Sequence, residues 1–228
     1  MKSYCQFSVI PMRREPNDRS EQVSQLLYGE CVTVLETKAK WSLVQGDDGY
    51  AGWVDTNQIN PEPIAQGFVL EREVCIKTAR GDFYLPHGAR GQQVATTLPF
   101  NPSAVVKTAQ LYLNTPYLWG GKSIYGIDCS GFVQQLFKVH GVNLPRDAYQ
   151  QAEIGETVHL VAEAKALDLA FFDNGEGRIV HVGMLINQSQ IIHASGSVRM
   201  DAFDHQGIYN KEIGQYTHQL RIIKRIQP

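Results

Sequence analysis

The apolar residues of this chain change their spacing near residue 100, and that change limits the fold to two differently built parts. Before it they come in short alternating runs, Cys31 to Glu36, Trp41 to Val44 and Tyr50 to Val54, with Gln45-Gly46-Asp47-Asp48-Gly49 as a turn between the last two. Alternation bounded by turn residues is the pattern of half-buried strands, so this stretch reads as a small β-barrel. Further strands are expected over Val69 to Lys77 and Gln92 to Thr97, with Asn60-Pro61-Glu62-Pro63 and then Pro99 and Pro102 as breaks.

Beyond the boundary the period becomes helical. Ser103 can cap a helix through Leu113, with Val105, Val106 and Ala109 on one face, before Thr115-Pro116 ends it. A second helix starts around Cys129, carries Phe132, Val133, Leu136 and Phe137 on one side, and closes at Gly141. Strands over Leu169 to Phe172, Ile179 to Ile186, Gln190 to Ala194 and Gln219 to Ile226 complete the chain. The expected fold class is α+β: a β-barrel domain with its linker in residues 1–100, then helices packed on an antiparallel sheet in residues 101–228. No internal repeat is present, which excludes a solenoid.

Composition narrows the function classes. At 43% hydrophobic and 19% charged, the 228 residues have an ordinary globular make-up. Twenty-one basic against twenty-three acidic side chains leave a net charge of -2 and no field to hold polyanions, so neither nucleic acid nor an anionic membrane is an expected partner. Met1 to Arg14 lacks the apolar core of a secretory signal, and nothing later is long enough to span a bilayer, so a cytoplasmic location is expected. Cys5, Cys31, Cys75 and Cys129 form no C-x-x-C pair, which suits reduced thiols; Cys31 and Cys75, in apolar strand contexts, are expected in the core.

Cys129 is the residue with chemical potential. It follows the glycine-rich Trp119-Gly120-Gly121-Lys122 and opens a helix, where unpaired N–H groups and the dipole favour thiolate by about 0.3–1 kcal/mol. A cysteine there can equally well do no more than pack, so histidines decide. In Ile179 to Ile186, alternation puts His181 on the face of Ile179, Gly183 and Leu185. If Asn187-Gln188-Ser189 is a three-residue hairpin loop, Gln190 pairs with Ile186 and His193 falls opposite Gly183, on the same face as His181. Such diagonal neighbours lie about 7–8 Å apart at the backbone, within reach of long side chains. His193 can then fix the tautomer of His181 and leave its other nitrogen for the thiol. Nucleophile, base and orienter are the minimal parts of covalent acyl transfer, although either histidine alone could be an ordinary strand residue.

With these residues in view, the chain resembles the NlpC-type cell-wall peptidases, papain-like enzymes that cut γ-D-glutamyl to diamino acid bonds in peptidoglycan peptides. The resemblance runs from about Ser103 to Ile223, through Thr115-Pro116-Tyr117-Leu118-Trp119-Gly120-Gly121, Asp128-Cys129-Ser130-Gly131-Phe132, Leu144-Pro145-Arg146-Asp147, His181-Val182-Gly183-Met184 and Ile192-His193-Ala194-Ser195. It implies Cys129, His181 and His193 as the triad and Tyr117 near the oxyanion site. The first hundred residues look like the bacterial SH3-like module of some members, and this implies that Glu15, Tyr50 and Asp147 hold the free amine of an N-terminal L-alanine. Ser130 with the helix start, and Arg146, are candidates for the substrate carboxylate. Asp128 and Ser130 could instead be simple capping residues, and Ala148 stands where some relatives have a serine.

The resemblance therefore implies a cysteine peptidase acting on peptidoglycan-derived peptides with a free N-terminal L-Ala, in wall recycling, without cofactor or metal. A wall-active endopeptidase, an acyltransferase and a non-catalytic binding module are the competing readings. One cysteine and two histidines could also ligate zinc.

Overall fold

In a computed structural model of the chain, residues 1–62, 73–78, 81–90 and 98–227 are described. They divide into two compact units, Met1–Leu98 with Leu118–Gly126, and Pro99–Tyr117 with Ile127–Pro228. A single boundary near residue 100 therefore leaves out Leu118–Gly126, which groups with the first unit.

The first unit carries β1 (Lys2–Cys5), β2 (Val9–Arg13), β3 (Gln22–Leu27), β4 (Cys31–Lys38), β5 (Trp41–Gly46), β6 (Ala51–Asp55) and β7 (Ile59–Asn60) in the order β3-β2-β6-β5-β4-β1-β7. Alternate residues meet in one core of Cys5, Ile10, Met12, Leu26, Val32, Val44, Val54 and Ile59. In β3 the alternation is masked, because Ser24 and Gln25 are buried beside Leu26 and Leu27. The loop Leu118–Gly126 explains part of this burial: the Gln25 amide oxygen accepts from the Lys122 backbone N–H at 2.9 Å, and the Lys122 ammonium lies 3.5 Å from the buried Glu30 carboxylate. Gly120 turns this loop at φ 74°, and a Cβ there would meet the Gln22 carbonyl oxygen at 2.7 Å.

A two-stranded sheet, β8 (Val74–Thr78) with β9 (Gly81–Leu85), completes the unit. The start of the expected strand from Val69 and all of Gln92 to Thr97 lie outside the described residues. Cys75 is a correction. Val74 and Ile76 pack toward Leu27, Leu85 and Ala89, so the alternation turns Cys75 out and leaves it exposed; Cys31 is half-buried, and Cys5 is the core thiol.

The second unit holds the three α-helices found among the described residues: α1 (Pro102–Gln110), α2 (Cys129–Val139) and α3 (Ala148–Gln151). Asn101, not Ser103, caps α1, its side chain accepting from the Ala104 N–H at 3.0 Å. Pro102 supplies a preset φ at a position whose N–H has no helical partner. Phe132, Val133, Leu136 and Phe137 of α2 are fully buried, with Phe132 edge-on to Tyr112 at 5.6 Å between ring centroids.

Two short strands precede α2, β10 (Lys122–Ser123) and β11 (Gly126–Ile127). After α3 come β12 (Glu156–Val158), β13 (Leu169–Asp173), β14 (Ile179–Asn187), β15 (Gln190–Ser195), β16 (Ser197–Phe203), β17 (Gly207–Asn210) and β18 (Gln215–Arg225), in the antiparallel order β12-β18-β13-β14-β15-β16-β17 with β17 also paired to β18. Ala170, Phe172, Leu185, Ile191, Phe203, Ile208 and Ile223 fill its core. Most regular structure in this unit is thus sheet, and α2 is its longest helix.

Candidate active site

The hairpin β14–β15 sets the histidines. Gly183 pairs with His193, Met184 with Ile192 and Leu185 with Ile191; a bulge then shifts the register so that Asn187 pairs with Gln190. The loop is thus two residues, Gln188 and Ser189, rather than three, and the bulge at Ile186 absorbs the difference. His181 and His193 are diagonal neighbours on one face, with His181 Nε2 at 2.9 Å from His193 Nδ1. A Cβ on Gly183 would lie 2.7 Å from Ile191 Cδ1 and 2.9 Å from His193 Cβ, so glycine lets the second ring close on the first.

A carboxylate extends the pair, and sequence reading missed it. Asp201 Oδ2 lies 3.0 Å from His193 Nε2, and Arg199 holds both Asp201 oxygens, at 2.7 and 3.0 Å. Burial alone would raise the Asp201 carboxyl, but hydrogen bonds from His193 and Arg199 outweigh it and hold it below its usual value. An ionised carboxylate only accepts, so His193 Nε2 carries a proton, and in neutral His193 the Nδ1 is bare. His181 Nε2 must then donate to that nitrogen, and in neutral His181 the base nitrogen is Nδ1. The signal was available: Gly196 sits at the turn between paired Ser195 and Ser197, which puts His193, Arg199 and Asp201 on one face. Asp201→Asn, by releasing the tautomer of His193, is expected to lower kcat/KM about 10–100-fold with little change in melting temperature. Unchanged turnover in that variant would remove Asp201 from the relay.

Cys129 opens α2 and is almost fully buried. Asp128 caps the helix, its Oδ1 accepting from the Gly131 N–H at 2.7 Å. Arg146, 1% exposed, donates to both Asp128 oxygens at 3.0 and 2.6 Å and to Ser130 Oγ at 2.9 Å, while Ser130 Oγ also donates to Asp128 at 3.3 Å. Of the two roles open to Asp128, the cap is therefore the one seen, and Arg146 and Ser130 are joined to it in one buried network.

The thiol itself differs from expectation. Burial, then the Asp128 carboxylate, push it up to about 12, against backbone hydrogen bonds at Val182 and Ser130 and the Arg146 charge. A helix-end contribution of about 0.3–1 kcal/mol is under one pKa unit and cannot offset that desolvation. Burial, then His193 and His218, hold His181 well below its usual value. Burial thus favours the uncharged form of both groups. Hydrogen bonding of the sulfur at Val182, the residue after His181, ties the start of α2 to β14.

Tyr117 hydrogen-bonds through its N–H to the Gly196 carbonyl at 2.9 Å. Burial, then the charges of Cys129 and Asp128, raise its phenol, which stays a proton donor. Asp147, half-buried, starts α3 in a reciprocal capping box with Gln150. Glu15 and Tyr50 belong to the first unit, Glu15 exposed and Tyr50 half-buried against the core of that unit. His218 on β18 was also missed: its ring stacks on His181 with centroids 4.2 Å apart and planes 27° from parallel.

Residues 114–218 match the NlpC/P60 family, and residues 12–59 match the bacterial dipeptidyl-peptidase Sh3 domain. The chain is 30% identical to gamma-D-glutamyl-L-lysine dipeptidyl-peptidase of Bacillus subtilis, over 75% of this chain and 71% of that protein. It is 28% identical to the Bacillus cereus protein of the same name, over 77% of this chain and 68% of that one. A crystal structure of an NlpC/P60 family protein from Bacillus cereus shares the fold, with a TM-score of 0.84, 18% identity and full coverage of both chains. The chain therefore belongs to the NlpC/P60 family, and it is a cysteine peptidase with a papain-like unit and a bacterial SH3-like domain.

Proposed function

We propose that this peptidase hydrolyses the bond between γ-D-glutamate and an L-diamino acid in peptidoglycan-derived peptides with a free N-terminal L-Ala. The observation that carries the chemistry is the directed chain from Asp201 through His193 to His181, which leaves a bare base nitrogen on the strand whose Val182 meets the Cys129 sulfur. His181 Nδ1 takes the thiol proton as sulfur attacks the γ-carbonyl, then delivers it to the departing amine. A thioester forms, and the same nitrogen activates water to release the acyl product. The Cys129 N–H and the Tyr117 phenol meet the oxyanion, a role typically worth about 10²–10³ in rate per donor. In this reading Arg146 and Ser130 hold the start of α2, and the whole fold is classed as α+β.

The substrate is supported by the names of the relatives, each at about 30% identity, and by the resemblance of the catalytic motifs. The four free cysteines fit a reducing compartment, which supports a cytoplasmic role in wall-peptide recycling. Mass spectrometry of a digest of L-Ala-γ-D-Glu-L-Lys tests it. We expect L-Ala-γ-D-Glu and lysine, and about 10–100-fold slower cleavage after N-acetylation, the cost of one charge-assisted contact. The acetylated control also tests the amine-recognition role that the resemblance gives Glu15, Tyr50 and Asp147. Equal cleavage of both peptides would favour a wall-active endopeptidase, and cleavage at another bond would overturn the proposal.

A further inference from the structure

His218 does more than cover a ring. One ring nitrogen from each of His181, His193 and His218 lies within 4.8 Å of the others. His181 Nε2 and His193 Nδ1 face each other at 2.9 Å, and His218 Nδ1 contacts Thr217 Oγ1 at 2.9 Å, which leaves its Nε2 for a ligand. Three imidazoles with an open fourth position make a familiar set for Zn²⁺, at Zn–N distances of about 2.0–2.1 Å. Tetrahedral ligands at that radius stand roughly 3.3 Å apart, so the closest pair opens by about half an ångström and the farthest closes by about 1.5 Å. Binding also requires the His218 ring to turn out of its stack on His181, from which its plane now departs by 27°.

We propose that His181, His193 and His218 form a Zn²⁺ site whose occupation switches the peptidase off. The proposal rests on His181 being the base, as argued above. A second observation points to a ligand. The Asp201 carboxylate at His193 Nε2 is the outer-shell partner that metal-bound histidines characteristically have, and it turns the Nδ1 lone pair toward His181. A groove lined by Asp173, Val180, His205, Gln206, His218 and Leu220 opens at the His218 side and offers an entry path.

Inhibition follows from proton accounting. Zn²⁺ bonds to the Nε2 lone pair of His181, and the proton that was there moves to Nδ1. The ring remains neutral, one proton has changed nitrogen, and the nitrogen that should receive the thiol proton is occupied.

The test uses Cys129→Ala protein, which removes the thiol as a competing ligand, with Zn²⁺ affinity read by competition against a chromophoric chelator. One equivalent should bind, about 10–100-fold more weakly after His218→Phe, which keeps an aromatic ring over His181. His205→Ala should bind like its parent. In the active enzyme, Zn²⁺ inhibition should be reversed by chelation and weakened by the same factor in His218→Phe, relative to the zinc-free rate of that variant. No zinc bound by Cys129→Ala, or equal affinity with and without His218, would overturn the site. If the phenylalanine variant does not fold, Co²⁺ bound to Cys129→Ala protein decides: intense tetrahedral absorption supports the site, weak octahedral bands refute it. Zinc bound through His218 with turnover unaffected would refute the switch and, separately, the assignment of His181 as base.

Discussion

Replacing Cys129 by alanine is expected to lower kcat/KM at least ~10⁴-fold, and His181→Ala by a similar factor. The sulfur is the atom that forms the new bond, and with its proton held up to about 12 it is inert at neutral pH until a base removes that proton. Because the two act as a unit, the double variant should be no slower than either single one. His193→Ala should fall short of both losses, since it orients the base without touching substrate. Steady-state cleavage of the tripeptide measures all four. Full turnover in Cys129→Ala would remove Cys129 as the nucleophile, and additive losses in the double variant would mean that sulfur and imidazole act in separate steps.

Arg146→Met carries the largest expected effect on stability, about 3–5 kcal/mol, because it strands the Asp128 carboxylate in a buried site. The guanidinium is 1% exposed and binds both oxygens of a carboxylate that also caps α2. Urea denaturation should therefore show a sharply lower midpoint with the slope unchanged. Removing both partners, in Arg146→Met with Asp128→Leu, should recover part of the loss but leave the missing cap, worth about 0.5–2 kcal/mol. A different outcome is equally readable. If Arg146 met the substrate carboxylate directly, the single variant would raise KM and leave the midpoint in place.

The parts of this site that could be read from the sequence are those fixed by local periodicity. His193 opposite Gly183 followed from alternation in β14 and β15, and it survived a wrong loop length because the bulge at Ile186 restores the register. Asp201 was equally accessible, since Ser197 to Phe203 alternates polar with apolar residues as a strand does and the turn at Gly196 puts Asp201 diagonal to His193. His218 was not accessible. It lies on β18, which pairs with β13 and β17, and no local pattern says which distant strand a given strand will join. The surroundings of Cys129 were hidden for a related reason: position at a helix start is local, whereas the desolvation that opposes the thiolate comes from the packing of the whole unit. Cys75 shows the limit of composition alone, because an apolar context does not fix which face of a strand points inward.

The central claim is a directed proton relay, from the Asp201 carboxylate through His193 to a neutral His181 whose Nδ1 is bare. Nitrogen NMR of histidine-labelled protein at neutral pH measures this directly, because each ring nitrogen reports whether it carries a proton. The account predicts His181 protonated at Nε2 alone and His193 likewise at Nε2 alone. A doubly protonated His181, or one carrying its proton on Nδ1, would contradict it.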